Sequence, residues 1–248
     1  MSKVLVSEKN LTNIANAIRE KNGETTTYKP NEMAGAIQNI SGGGSTVIKG
    51  IIINEFNESG YATDVSVVGM TAIPHFYFAA SSSYTNFLNQ YLKNVQLPNN
   101  LTSIGNYAFN YCTNLALTEL PNNLTSIGNF AFQWCKNLAL TKLPSGITSI
   151  GIRVFQECIS LIEMTCLGNI TSIGNYAFNS CINLSKFVLP NITRVPTLGS
   201  DVFTDTQIAN GTGYIYVPDN LVNNFKSATN WSIYADQIKA ISEMEASA

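Results

Sequence analysis

Apolar residues recur along the middle of this chain with a fixed period of 23 residues. Isoleucine falls at Ile104, Ile127, Ile150 and Ile173, phenylalanine at Phe109, Phe132, Phe155 and Phe178, cysteine at Cys112, Cys135, Cys158 and Cys181, and leucine at Leu115, Leu138, Leu161 and Leu184. Within one unit, Leu115 to Leu120 is expected to be a short strand that Pro121 ends. Leu124 to Ile127 is a second extended piece, and Gly128 leads into a short helical turn carrying Ala131 and Phe132. A period of roughly 20 to 29 residues with leucine, isoleucine and cysteine at constant offsets marks a leucine-rich repeat solenoid, in which each unit buries its apolar face only against its neighbours. The predicted fold is therefore β-rich with short helical turns, and four regular repeats run from about 97 to 190.

The inward face of the first strand is ambiguous. Leu117 and Leu140 are apolar where later repeats carry Glu163 and Lys186, whereas the next position reads Thr118, Thr141, Met164 and Phe187. Inward and outward faces are expected to switch or bulge along the array.

The flanks divide by the same patterning. Residues 1–40 read as a helical hairpin: Ser7 can cap a first helix with Leu11, Ile14 and Ile18 on one side, and Pro30 opens a second with Met33, Ile37 and Ile40. So small a unit needs a surface to dock on, which makes 1–40 a candidate for anchoring or homo-oligomerisation. Residues 41–46 read as a Gly/Ser linker. Residues 47–96 are a degenerate capping repeat, with Ile51 to Ile53 as a strand covering the open end. Residues 191–248 are a second degenerate repeat and C-terminal cap, where Tyr214 to Val217 forms a strand and Asp219 caps a helix bearing Leu221, Val222 and Phe225.

Composition narrows the function. Charged residues are 12% of the chain, about half the usual share, so the exterior is polar but mostly uncharged. A net charge of −2 with no basic run gives nucleic-acid binding no electrostatic support. No stretch of about 18 apolar residues could span a bilayer, and the first residues lack the long apolar core of a secretory signal. If Met1 is the natural start, ordinary secretion is disfavoured, and export by another route or assembly into a particle is expected instead.

Candidate chemistry is sparse. Four of the five cysteines share one repeat position, and Cys166 replaces the leucine found at Leu97, Leu120, Leu143 and Leu189. With one histidine and no CxxC pair, they read as buried thiols, not a zinc site. His75 has no carboxylate near it in sequence, and no phosphate loop or acidic metal cluster occurs. No catalytic, cofactor-binding or metal residue is assigned. The sequons at Asn100 and Asn123 arise from the repeat and read as turn chemistry.

Residues able to recognise a partner form rows, because stacked repeats turn each repeat position into a line on the surface. One row is Tyr107, Phe130, Arg153 and Tyr176; another is Tyr111, Trp134, Glu157 and Ser180; a third is Asn110, Gln133, Gln156 and Asn179. Aromatic and amide side chains suit protein or glycan contacts. The alternative is internal: aromatics closing gaps between adjacent short helices and amides satisfying loop carbonyls.

The motif LPNNLTSIGNYAFNYCTNLALTE from Leu97 resembles the BspA-type leucine-rich repeat family of bacterial and protist surface proteins, whose units carry a TSIGxxAFxxC core. The tail at 215–241 is similar to the cap closing such arrays, so the resemblance covers about 65–241. It implies adhesion to host proteins or cells and brings no catalytic residues. Residues 8–40 are similar to N-terminal segments of tail-associated proteins in phages and prophages of gut Firmicutes, which implies attachment to a particle. The expected function is non-enzymatic binding or adhesion to a protein or carbohydrate, outside the cell at its surface or on a phage tail. The alternative is a structural assembly component whose repeats act as a spacer.

Overall fold

The chain was analysed as a computed structural model that describes residues 51–56, 62–74, 78 and 88–245. The hairpin expected at 1–40, the linker at 41–46 and His75 lie outside the described residues.

The coils contribute short parallel strands to two faces. The Ser-Ile dipeptides form one face: β3 (Ala72–Ile73), β5 (Ser103–Ile104) and β6 (Ser126–Ile127) pair in parallel, as do β8 (Ser149–Ile150), β10 (Ser172–Ile173) and β12 (Thr197–Leu198). The other face is a five-stranded parallel sheet of β7 (Lys142–Leu143), β9 (Glu163–Cys166), β11 (Lys186–Val188), β13 (Tyr214–Val217) and β14 (Ile238–Ala240). On the N-terminal side, the strand expected at Ile51 to Ile53 is present as β1 (Ile51–Phe56). It pairs antiparallel with β2 (Ala62–Val67), which runs parallel to β4 (Asn94–Gln96).

The strand expected at Leu115 to Leu120 does not form, and farther along the array the inward face switches. In the second repeat Leu140 is buried while Thr141 and Lys142 are exposed; in the third, Met164 is buried and Glu163 turns outward. The register pairs Lys142 with Thr165 and Leu143 with Cys166. Equivalent positions therefore point opposite ways in adjacent coils, and a regular pleat cannot hold both. In the first two regular repeats only β7, two residues long, is paired on this face. After it the strands lengthen to between three and four residues.

The third side of each coil is not helical, which corrects the expected helical turn at Ala131 and Phe132. Residues 129–134 are consecutive turns, because Phe130 and Trp134 have φ of 60° and 64°, and a left-handed residue breaks an α ladder. The amide hydrogens then alternate in destination. Phe130, Phe132 and Trp134 donate to Ile152, Val154 and Gln156 of the next coil at 2.8–3.0 Å, whereas Ala131, Gln133 and Cys135 donate three residues back within their own turn. The same alternation holds at 107–112. Every second amide thus tethers neighbouring coils, a link that a helix would have spent on itself.

The core is a spine of like residues touching across coils. Phe109, Phe132, Phe155 and Phe178 are fully buried, with consecutive ring centres 5.2–5.8 Å apart. Asparagine bonds the coils nearer the surface: Asn106 Oδ1 accepts the Asn129 amide and Asn129 Oδ1 accepts the Ile152 amide, each at 2.8 Å. Glycine is required where coils meet most closely. A Cβ on Gly174 would lie 2.7 Å from the carbonyl carbon of Gly151 and 2.8 Å from the Ile152 nitrogen.

The C-terminal cap closes the spine with aromatics. Phe203 meets Tyr234 edge-on at 5.5 Å, Trp231 packs edge-on against Phe225 at 4.7 Å, and the Trp231 indole donates to Pro196 O at 2.7 Å. Asp219 does not cap the helix Val222–Ser227, as the sequence led one to expect. It opens the 3₁₀ turn Asp219–Leu221, and its carboxylate accepts the Ser242 amide at 3.3 Å, capping the last helix, Ile241–Glu245. The Ser242 side chain first, and its amide second, hold the Asp219 carboxyl below its ordinary range by hydrogen bonding.

Candidate functional site

The three candidate rows lie along the turn side, brought together by the coil spacing. Ring planes in the first row are nearly parallel: Tyr107 on Phe130 at 4.5 Å, followed by the Arg153 guanidinium 5.8 Å from Phe130 and 4.9 Å from Tyr176. In the second row Tyr111 stacks on Trp134 at 5.5 Å, and Lys136 sits 5.1 Å over the indole. Tyr111 is 46% exposed, and Trp134, Tyr107, Phe130 and Tyr176 are half-buried.

The amide row satisfies itself. Asn110 donates to Gln133 at 2.9 Å, Gln133 to Gln156 at 2.7 Å, and Gln156 to Asn179 at 2.8 Å. Asn110 is buried and the other three are half-buried. The amides are engaged internally, but with one another and not with the loop carbonyls that were expected: one hydrogen-bonded chain crosses four coils, and those bonds are not open to a ligand. For the aromatic rows the stacked faces are likewise engaged, so edges and polar tips face outward.

Both aromatic rows occupy strained backbone. Tyr107, Tyr111, Phe130, Trp134, Arg153, Glu157, Tyr176 and Ser180 all have φ between 53° and 64°. The next unit places Asp201 and Asp205 there, also left-handed, and Asp adopts this region far more readily than a bulky side chain. Sequence reasoning missed the strain, although the aspartates at the equivalent positions were the available signal.

The cysteines are where the repeat predicted. All five are buried and free, and burial raises each thiol above its ordinary range. Cys135, Cys158 and Cys181 donate to Phe109, Phe132 and Phe155 carbonyls at 3.0–3.1 Å. Buried, protonated thiols are poor nucleophiles and poor ligands. Among the described residues, no three His, Cys, Asp or Glu residues are grouped to hold a metal, and no helix is long and apolar enough to cross a membrane. The sequon residues Asn123 and Thr125 bond back to Asn99 and Thr102 carbonyls at 2.9 and 3.0 Å.

The sheet side offers a cleft of about 260 Å³ where the first strand fails to form, floored by Val95, Leu117 and Leu120 and rimmed by Asn99, Glu119 and Lys142. Sequence reasoning did not anticipate it. Its ionic groups are paired with each other at 3.9 Å, so it shows no catalytic arrangement.

Parallel strands repeated with the coil, a phenylalanine spine and a buried thiol row define a leucine-rich repeat protein. The family model described as the BspA type leucine rich repeat region matches residues 69–209 in six copies, and the chain belongs to that family. No curated protein matches it. Among solved structures, it is similar to a leucine-rich repeat protein of T. pallidum at 24% identity, over 70% of this chain and 71% of that one, with a TM-score of 0.42. A leucine-rich repeat protein of Bacteroides ovatus matches at 20% identity, over 70% and 59%, with a TM-score of 0.43. A leucine rich cell surface protein of Faecalibacterium prausnitzii matches at 18%, over 72% and 59%, with a TM-score of 0.32. The chain thus spans less than two thirds of the length of the last two. None of these comparisons supports the likeness of residues 8–40 to phage-tail proteins.

Proposed function

We propose that this chain is a non-enzymatic binding protein, acting in adhesion outside the cell, whose aromatic rows receive a protein or carbohydrate partner. One observation carries the reading: Tyr111, exposed, and Trp134, half-buried, occupy left-handed positions that Asp205 fills at lower cost two coils beyond Glu157. Each such bulky residue costs on the order of 1 kcal/mol or more, and one stacked pair returns only about 0.5–1.5 kcal/mol. Two strained residues per pair leave a net cost, which a role at an interface accounts for. The test is a binding screen of the intact chain against extracellular-matrix proteins and glycans, repeated with Trp134→Ala, Tyr111→Ala and Tyr107→Ala. The reading expects a ligand whose binding drops at least tenfold in Trp134→Ala; a ligand indifferent to all three changes places binding elsewhere on the molecule.

A structural reading is favoured by the amide chain and the engaged ring faces, which suit a rigid spacer. In that case residues 1–40 would assemble copies or attach to a particle, and light scattering of the intact chain against a variant lacking residues 1–46 would show an oligomer lost on deletion. A monomer in both forms removes this reading.

A further inference from the structure

We propose that Arg153 is the anchor for an acidic side chain of a protein partner, an inference that deepens the binding reading and rests on it. In the row Tyr107, Phe130, Arg153, Tyr176, a flat cation replaces a ring. Its guanidinium carbon lies between the two rings, 5.8 Å from the Phe130 ring centre and 4.9 Å from that of Tyr176. The flanking rings restrict the rotamers open to the side chain before any ligand arrives, which reduces the entropy lost on binding.

It also lacks a counter-ion. Among the described residues the ion pairs are Lys142 with Glu119, Lys186 with Glu163 and Lys239 with Glu243, and none reaches Arg153. Its Nε–H, shielded from solvent, has no hydrogen-bond partner. An orphan donor of this kind is costly, and a carboxylate set side-on across Nε and one Nη, after a small outward rotation of the side chain, would satisfy it with the strongest geometry an arginine offers.

The row favours a protein over a sugar. Stacking by a pyranose needs an open ring face, and in this row Tyr107 and Arg153 occupy the two sides of Phe130 while Arg153 also takes one side of Tyr176. The cleft on the sheet side is lined by none of these residues. What the ridge exposes is Tyr, Trp and Arg around a central cation, the composition of protein hot spots.

The chain has three arginines, Arg19, Arg153 and Arg194, so three side-chain Nε–H signals are expected by nitrogen-15 NMR and Arg153→Gln assigns one. The intact protein is titrated with an N-acetylated peptide of alternating Glu and Ser, with its Gln/Ser counterpart, and with polygalacturonate. The proposal expects the Arg153 signal to move saturably with the Glu peptide alone, affinity to fall at least tenfold in Arg153→Gln, and Arg153→Lys to fall between. Unchanged Arg19 and Arg194 signals in Arg153→Gln report that the fold is kept. An unmoved Arg153 signal at millimolar Glu peptide, equal binding by Arg153→Gln, or a response to polygalacturonate alone overturns the anchor. The broader binding reading falls on separate grounds, a ligand screen of the intact chain that finds nothing.

Discussion

Raising the pH above about 8.5 should destabilise this protein through its thiols. Cys112, Cys135, Cys158, Cys166 and Cys181 are fully buried, and desolvation raises every one of them above its ordinary range. In the unfolded chain they ionise near an ordinary value of about 8.5. Above that pH the folded state holds more protons than the unfolded state, so unfolding stability has a negative slope with pH. The thiol contribution is complete below about 8.5 and is lost progressively as pH climbs toward the raised folded values. One unit above, at about pH 9.5, each thiol costs a little over 1 kcal/mol, and five together cost about 7 kcal/mol. That is comparable to the whole stability of an ordinary domain, about 5–15 kcal/mol. The assay is urea unfolding followed by circular dichroism at pH 7.5, 8.5 and 9.5 under reductant. Cys158→Ala should flatten the pH slope by about one fifth while lowering stability at pH 7.5. Tyr234, raised by its burial, adds to the slope only above about pH 10. A stability unchanged between pH 8 and 9.5 would mean that the thiols ionise as freely folded as unfolded, and the buried row would be refuted.

Two substitutions probe the spine and the coil contacts. Phe155→Ala removes a fully buried ring stacked on Phe132 and Phe178 at 5.8 and 5.3 Å, and should cost about 3–5 kcal/mol by urea unfolding, against under about 0.5 kcal/mol for exposed Ile152→Ala. Gly174→Ala should destabilise by more than about 1 kcal/mol in the same assay, because its Cβ would press on Gly151 and Ile152 backbone; a neutral result would mean that the coils are farther apart.

What the sequence made legible was whatever the period carries. The positions of Phe109 to Phe178 and Cys112 to Cys181 need no knowledge of the turns, since any stacking in register buries them together. The Ser-Ile strands followed for the same reason. The third side was misread because Ala131 and Phe132 look helix-compatible, and the one sequence hint of left-handed residues on either side of them, Asp201 and Asp205 at the equivalent positions, lies outside the regular repeats. The first strand was legible only as an ambiguity, since Leu140 and Met164 each satisfy burial in a different register. For the rows, sequence placed the right residues side by side but could not tell an amide bonded to the next coil from one facing a partner. The solitary cation between two rings was visible as Arg153 in an aromatic row, yet its missing counter-ion is a fact of three-dimensional placement.

The central claim, that residues one period apart stand side by side on adjacent coils, is tested most directly by paired cysteines on the ridge. Adjacent strands lie about 4.8 Å apart, within the roughly 4.4–6.8 Å Cα separation a disulfide tolerates; the rings of Tyr111 and Trp134 already stack at 5.5 Å. Under mild oxidation, Tyr111→Cys with Trp134→Cys should form an intramolecular disulfide, while Tyr111→Cys with Glu157→Cys, two coils apart, should stay reduced. Crosslinking of the second pair but not the first would contradict the stacking register on which the spine and the rows both depend.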